Sequence, residues 1–360
     1  MPISRVPDRS VVSAAARIAL LSGSVLLAGC QLGYYSHLVG GHTRLMMDRE
    51  PVDEVLARDD LSAELRQRLQ LSQQLRDFAS NALALPVEDA YADYVALERD
   101  WITWNLFAAP PLSLEPHSWC YPVVGCAHYR GYFDQARAER DAEKLRDKGL
   151  EVYASGAIAY STLGWFDDPL TTPMLAGSEL WFAELLFHEL AHRRFYLKGD
   201  TRFNESLATS VAREGLRRWL AAQPQRRAEA EAQLAWQAAA RQQVLELVAD
   251  TRAALETLYA SSLPETEKLA RRDALRADLR QRYRAALAES PALAGYQRWF
   301  DGPLNNAQLN TLADYEGWVP AFDAVLAACD GDWACFWHEV ERIADLPAEQ
   351  RQALLENMND

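Results

Sequence analysis

The residues best suited to chemistry lie at 187–195, where the chain reads Phe-His-Glu-Leu-Ala-His-Arg-Arg-Phe. The centre of this run is an H-E-x-x-H pattern of His188, Glu189 and His192. Four residues make about one turn of helix, so both imidazoles project from one face. They can then reach a single Zn²⁺ ion at roughly 2.0–2.1 Å. Glu189, beside His188, can serve a water molecule as general base without ligating the ion. A catalytic zinc site needs a third protein ligand and an open position. Glu205 fits that need. It stands near the start of the next helix in Phe203-Asn204-Glu205-Ser206, after a Gly199-Asp200 turn that would fold it back against the first helix. Two His and a Glu form a set for metal-assisted hydrolysis, with zinc expected, although such a set accepts other divalent ions. The bland alternative is a helix with two surface imidazoles. It leaves unexplained why two of only seven His share one face of an apolar helix.

That helix has a local rationale. Ser178 is a suitable N-cap, Leu180, Trp181, Leu185, Leu186 and Leu190 give an apolar body, and neither Pro nor Gly interrupts before Gly199. Helical periodicity also covers Asp59 to Leu85 and Asp134 to Leu145. Glu205 to Leu287 is rich in Ala, Leu, Arg, Glu and Gln, and Pro224 and Pro264 divide it into three helices. Asn305 to Met358 reads as two or three more. Leu150 to Trp165, with β-branched and aromatic residues and little charge, reads as one or two strands. Trp119 to Phe133 reads as a disulfide-pinned loop or hairpin. The class is therefore α+β, mainly α-helical, with a small β-sheet beside the zinc helix.

The N-terminus supplies an address. Arg5, Arg9 and Arg17 precede an apolar stretch, Ile18 to Ala28, too short for a permanent membrane helix. This is the layout of a secretory signal peptide over 1–29. Leu27-Ala28-Gly29-Cys30 resembles the lipobox of bacterial lipoproteins, in which the Cys thiol is lipidated and the chain is cut before it. Acyl chains on Cys30 would hold the protein on a lipid bilayer. Gln31 rather than Asp follows, which favours an outer-membrane location facing the periplasm. Of the five cysteines, four then remain in two close pairs, Cys120 with Cys126 and Cys329 with Cys335. In an oxidising compartment these read as two local disulfides; the rival four-thiolate metal site lacks the usual C-x2-C spacing. A net charge of −14 argues against a nucleic-acid partner. Apolar content of 49% and charged content of 24% describe an ordinary globular protein. We expect one domain over 30–360. It comprises a helical N-terminal part at 30–110, a disulfide loop and sheet at 111–175, zinc helices at 176–222 and a helical C-terminal part at 223–360.

Several longer runs carry a resemblance. They are Gly33-Tyr34-Tyr35, Trp119-Cys120-Tyr121-Pro122, Tyr129-Arg130-Gly131-Tyr132-Phe133, Ala159-Tyr160-Ser161-Thr162-Leu163-Gly164-Trp165, the zinc motif with Phe203-Asn204-Glu205-Ser206, and Leu304-Asn305-Asn306-Ala307 with Tyr315. With them the chain resembles the predicted zinc aminopeptidase lipoproteins of proteobacteria, a group of glutamate-zincin type. Leu207 departs from the Phe often found there, at a packing position. The resemblance implies a zincin-like fold and an enzyme that hydrolyses peptides, releasing N-terminal residues in the periplasm. A zinc endopeptidase acting on envelope proteins, a peptidoglycan hydrolase and a non-catalytic lipoprotein scaffold are the alternatives. Tyr315 is the first choice as second oxyanion donor, with Tyr259 and Tyr160 as alternatives. Asp200 is a candidate for orienting a ligating His, or simply a helix cap. Asp167 and Asp168 are candidates for binding a substrate α-amine.

Overall fold

The computed structural model describes residues 33–121, 125–159, 167–225 and 227–359. The chain divides into two compact units, residues 1–48 and 49–360. The described part of the first is a helix, α1, over 33–47. The second is mainly helical with small sheets. In order it contains β1 (Glu50–Pro51), α2 (Val52–Leu56), α3 (Ala63–Leu83), β2 (Asp93–Val95), β3 (Thr103–Ala109), β4 (Trp119–Tyr121), β5 (Gly125–Ala127), β6 (Tyr129–Tyr132), α4 (Gln135–Asp147), β7 (Glu151–Ala157) and β8 (Leu170–Thr171). Then come α5 (Thr172–Leu175), α6 (Glu179–Arg194), α7 (Thr201–Ala221), α8 (Arg227–Ala260), α9 (Glu265–Glu289), a 3₁₀ turn at Pro291–Tyr296, and α10 (Gln297–Phe300). The last four helices are α11 (Asn306–Glu316), α12 (Val319–Ala328), α13 (Trp333–Ala344) and α14 (Ala348–Asn359).

Local chemistry explains many of these boundaries. Ser62 caps α3 by accepting from the Leu65 N–H, and Leu69, Ser72, Leu75, Ala79 and Leu83 form its buried stripe. Ser178 caps α6 in the same way, accepting from the Trp181 N–H. The breaks at Pro224 and Pro264 fall between α7, α8 and α9 as expected. The final segment holds four helices rather than two or three. The extra break is a tight turn in which Asp330 (φ 53°) and Gly331 (φ 76°) adopt left-handed conformations between α12 and α13.

The sheets are small. In one, β1 pairs antiparallel with β2, which pairs parallel with β8. In a second, β3 is central, antiparallel to both β6 and β7, and β4 with β5 makes a third of two strands. The expected strand between Leu150 and Trp165 is present as β7, while 160–166 lie outside the described residues. The expectation of a helical 30–110 is corrected: β2 and β3 lie within it. A seven-residue run such as Thr103–Ala109 is too short for periodicity to separate a strand from a buried helix segment. The reading of 119–133 as a pinned hairpin holds for β4 and β5, while 129–132 instead form β6 of the second sheet and 122–124 lie outside the described residues. Cys120 is bonded to Cys126 across the hairpin, and Cys329 to Cys335 across the α12–α13 turn.

The centre of the second unit is the packed pair α6 and α7. Both are buried on most of their circumference, including their polar residues Glu189, His192, Asn204, Glu205 and Ser206. An apolar all-round helix belongs in an interior. α3 covers the pair, and α11 joins it to the sheet by packing on α7, β3 and β7. Gly215 of α7 packs directly against Phe187 of α6 and Leu83 of α3. A Cβ there would stand 2.9 Å from Phe187 Cδ2 and 2.7 Å from Leu83 Cδ1. Phe187 immediately precedes the first imidazole, so this glycine sets the spacing of the helices that carry the chemistry. Gly215→Val should overpack the contact and lower stability by about 1–3 kcal/mol, read as a reduced urea midpoint with an unchanged denaturant slope.

Candidate metal centre

His188 and His192 stand one turn apart on α6, and Glu205 faces them from the second turn of α7. The three side chains converge. Nε2 of His188 lies 3.1 Å from Nε2 of His192 and 3.2 Å from Oε2 of Glu205. Nε2 of His192 lies 3.5 Å from the same oxygen. Ligand atoms held at 2.0–2.1 Å by a tetrahedral ion are themselves about 3.4 Å apart. The spacing therefore fits one small divalent cation, and among the described residues this is the cluster able to hold one. His192 and Glu205 are buried, while His188 keeps 15% of its side chain accessible, which leaves the cluster an approach from solvent.

The electrostatics follow from this crowding. Burial pushes the Glu205 carboxyl up, but the charges and hydrogen bonds of His192 and His188 outweigh it and hold it at about 2. Burial pushes the His192 imidazole down, and Glu205 and then Glu189 more than reverse this, raising it. Glu189 itself is raised, mainly by burial; His188 and His192 oppose the shift and Glu205 adds to it. A carboxyl moved towards neutrality is better matched to exchanging a proton at physiological pH.

The turn between the helices is fixed by Asp200 together with Asn204 and Arg351, whose roles the sequence reading did not single out. The Asn204 side chain accepts from the Leu197 N–H at 2.7 Å and donates to the Leu197 carbonyl at 2.8 Å. Asp200 caps α7 by accepting from the Phe203 N–H at 3.0 Å, and its other oxygen accepts from Nε and Nη2 of Arg351 on α14 at 3.1 and 2.8 Å. Its role is therefore the cap, and the proposed orientation of a ligating His is corrected: both carboxylate oxygens are already engaged elsewhere. Asn204 had a local signal, its place beside Glu205. Arg351 had none, being 151 residues away from its partner.

Other candidates fall differently. Tyr259 donates to Asn306 Oδ1 at 2.9 Å, in a polar network with Arg276 and Glu151, so it is corrected to a structural role. Tyr160 lies outside the described residues. Tyr315 falls in α11, and its side chain is outside the described residues. The backbone just after it reaches the site helix: the Trp318 N–H donates to Ser206 Oγ at 3.1 Å. Asp167 accepts from Arg193 Nη2 at 3.2 Å, an Arg that also binds Glu88 at 3.1 Å. Asp168 is buried, and its carbonyl accepts from the Tyr91 N–H at 2.8 Å. Tyr91 was not foreseen either. It is buried with φ 58°, and burial, Glu189 and Asp168 together push its hydroxyl well above the usual range.

Arg351→Ala would leave the Asp200 carboxylate half-buried without its cation. We expect a loss of about 2–3 kcal/mol, measured by urea denaturation of the metal-free protein.

Comparison with known proteins follows the same direction. A family model described as Putative aminopeptidase matches residues 33–355. No curated protein matches the chain, and no solved structure does. The matched span takes in both site helices, the disulfide hairpin and nearly all the C-terminal helices. The chain belongs to that aminopeptidase family.

Proposed function

We propose that the protein is a zinc-dependent metallopeptidase with a zincin-like fold that releases N-terminal residues from peptides. The observation that carries this reading is the convergence of two imidazole nitrogens and a carboxylate oxygen at 3.1–3.5 Å, with Glu189 buried beside them. His188, His192 and Glu205 would hold the ion. When bound, zinc supplies Lewis acidity, polarising a peptide carbonyl and making water acidic near neutral pH. Glu189 takes a proton from the attacking water at its carboxylate and returns it to the leaving amine. Tyr315 is the proposed donor to the oxyanion, supported by the contact of the following segment with Ser206, next to Glu205. Glu189 also separates this reading from a binding scaffold, which would need the ligands but no base.

The setting we propose is the bacterial envelope, with Cys30 lipidated and the enzyme facing the periplasm from the outer membrane. The signal peptide and Cys30 lie outside the described residues. Two disulfides fit an oxidising compartment. No helix among the described residues is long and apolar enough to cross a membrane.

Three measurements test these statements. Elemental analysis of the protein beginning after Cys30 should find about one zinc per chain, the stoichiometry of a mononuclear site; no bound metal after zinc is supplied would sink the catalytic reading. Glu189→Gln should retain the zinc and lower kcat by about 10²–10⁴, on a free-amine peptide that an N-blocked analogue cannot replace. Cleavage of the blocked peptide would make the enzyme an endopeptidase. Cys30→Ser should move the full-length protein from the membrane to the soluble fraction, and unchanged fractionation would rule out the lipid anchor.

A further inference from the structure

The position of Glu205 relative to the two imidazoles depends on the turn at 195–200, because that turn joins the helices that carry them. Asn204 holds the turn from the α7 side, through both backbone groups of Leu197. The other side is covered by the disulfide hairpin. Gly125 (φ 81°) and Gly199 (φ 82°) meet backbone to backbone. A Cβ on Gly125 would stand 2.9 Å from Gly199 N, 3.0 Å from its Cα and 2.8 Å from Lys198 Cγ. A Cβ on Gly199 would stand 3.7 Å from the Cys126 nitrogen. Further along, the His128 N–H donates to Thr201 Oγ1 at 3.4 Å, in the first turn of α7. Residues 125–128 therefore follow the chain from the turn into the helix that bears Glu205.

The hairpin has little to hold it on its own. Its strands are three residues each, and an isolated two-stranded hairpin is marginal in water. Cys120 and Cys126 face each other in its register and are bonded, which closes the loop covalently. We infer that the Cys120–Cys126 hairpin is a positioning element of the metal centre: locked by its disulfide, it presses on Gly199 and keeps Glu205 in place to ligate. This rests on the reading of His188, His192 and Glu205 as a metal site. Cys120, Cys126 and Gly125 touch no ligand directly; they act through the turn. The second disulfide, Cys329–Cys335, spans the α12–α13 turn and serves as the control.

The test is zinc affinity, measured by competition with a chromophoric chelator on the protein beginning after Cys30. Circular dichroism and the melting temperature of the metal-free protein report folding. Cys120→Ser/Cys126→Ser should weaken zinc binding by about 10–100-fold, the range for groups that orient ligands, while Cys329→Ser/Cys335→Ser leaves it unchanged. Equal affinity in the Cys120/Cys126 variant and the unmodified protein would overturn the positioning role and leave the metal site standing. Failure of the unmodified protein to bind zinc would overturn both. Should the double variant not fold, Gly125→Ala keeps the disulfide and forces the hairpin off the turn. It should weaken binding in the same direction, and unchanged affinity there would equally overturn the inference.

Discussion

Glu205 is a carboxylate buried against two imidazoles, and such a group is tolerated in an interior only if its partners stay within contact. Much of the second unit can be understood from that requirement. The partners sit on a different helix, so the two helices must be locked in angle, distance and rotation. Gly215 lets them close on each other at Phe187. The buried circumference of α6 and α7 leaves neither helix free to roll. The turn between them is pinned by Asn204, capped by Asp200 and anchored by Arg351. Glu189 shares the same dry surroundings; there burial prevails and raises the proton affinity, whereas at Glu205 the two imidazoles outweigh it.

A second polar cluster does comparable work where α9 and α11 meet β7. Arg276 on α9 meets Glu151 of β7 through two hydrogen bonds of 2.7 Å and Asn306 through one of 2.8 Å. Asn306 in turn donates to the carbonyls of Pro110 and Ser113. The Leu304-Asn305-Asn306-Ala307 run thus ties the long helical hairpin and α11 to the sheet. As α11 also packs on α7, the sheet and the site helices form one framework.

Much of this was legible in the sequence because it is local. One turn of helix places His188 over His192, a glycine turn returns Glu205, prolines part α7, α8 and α9, and paired cysteines announce two small loops. Spacing and residue type carry those messages. What could not be read depends on partners far apart along the chain. Nothing around Asp200 foretells Arg351, and nothing around Tyr259 foretells Asn306. Strand β3 escaped because its few residues become a strand through pairing with β6 and β7, both of which come later. Tyrosine roles were the hardest, since a phenol serves equally as packing, network member or donor.

The link from Arg351 to Asp200 also bears on the order in which the fold can be completed as the chain is made. The H-E-x-x-H run and Glu205 are made first, and the guanidinium that secures the start of α7 follows 151 residues after Asp200. Until it docks, the start of α7 rests on the local Asp200 cap and the Asn204 clasp alone. The helix that bears Glu205 is therefore fully secured at its start only after nearly the whole chain has been synthesised.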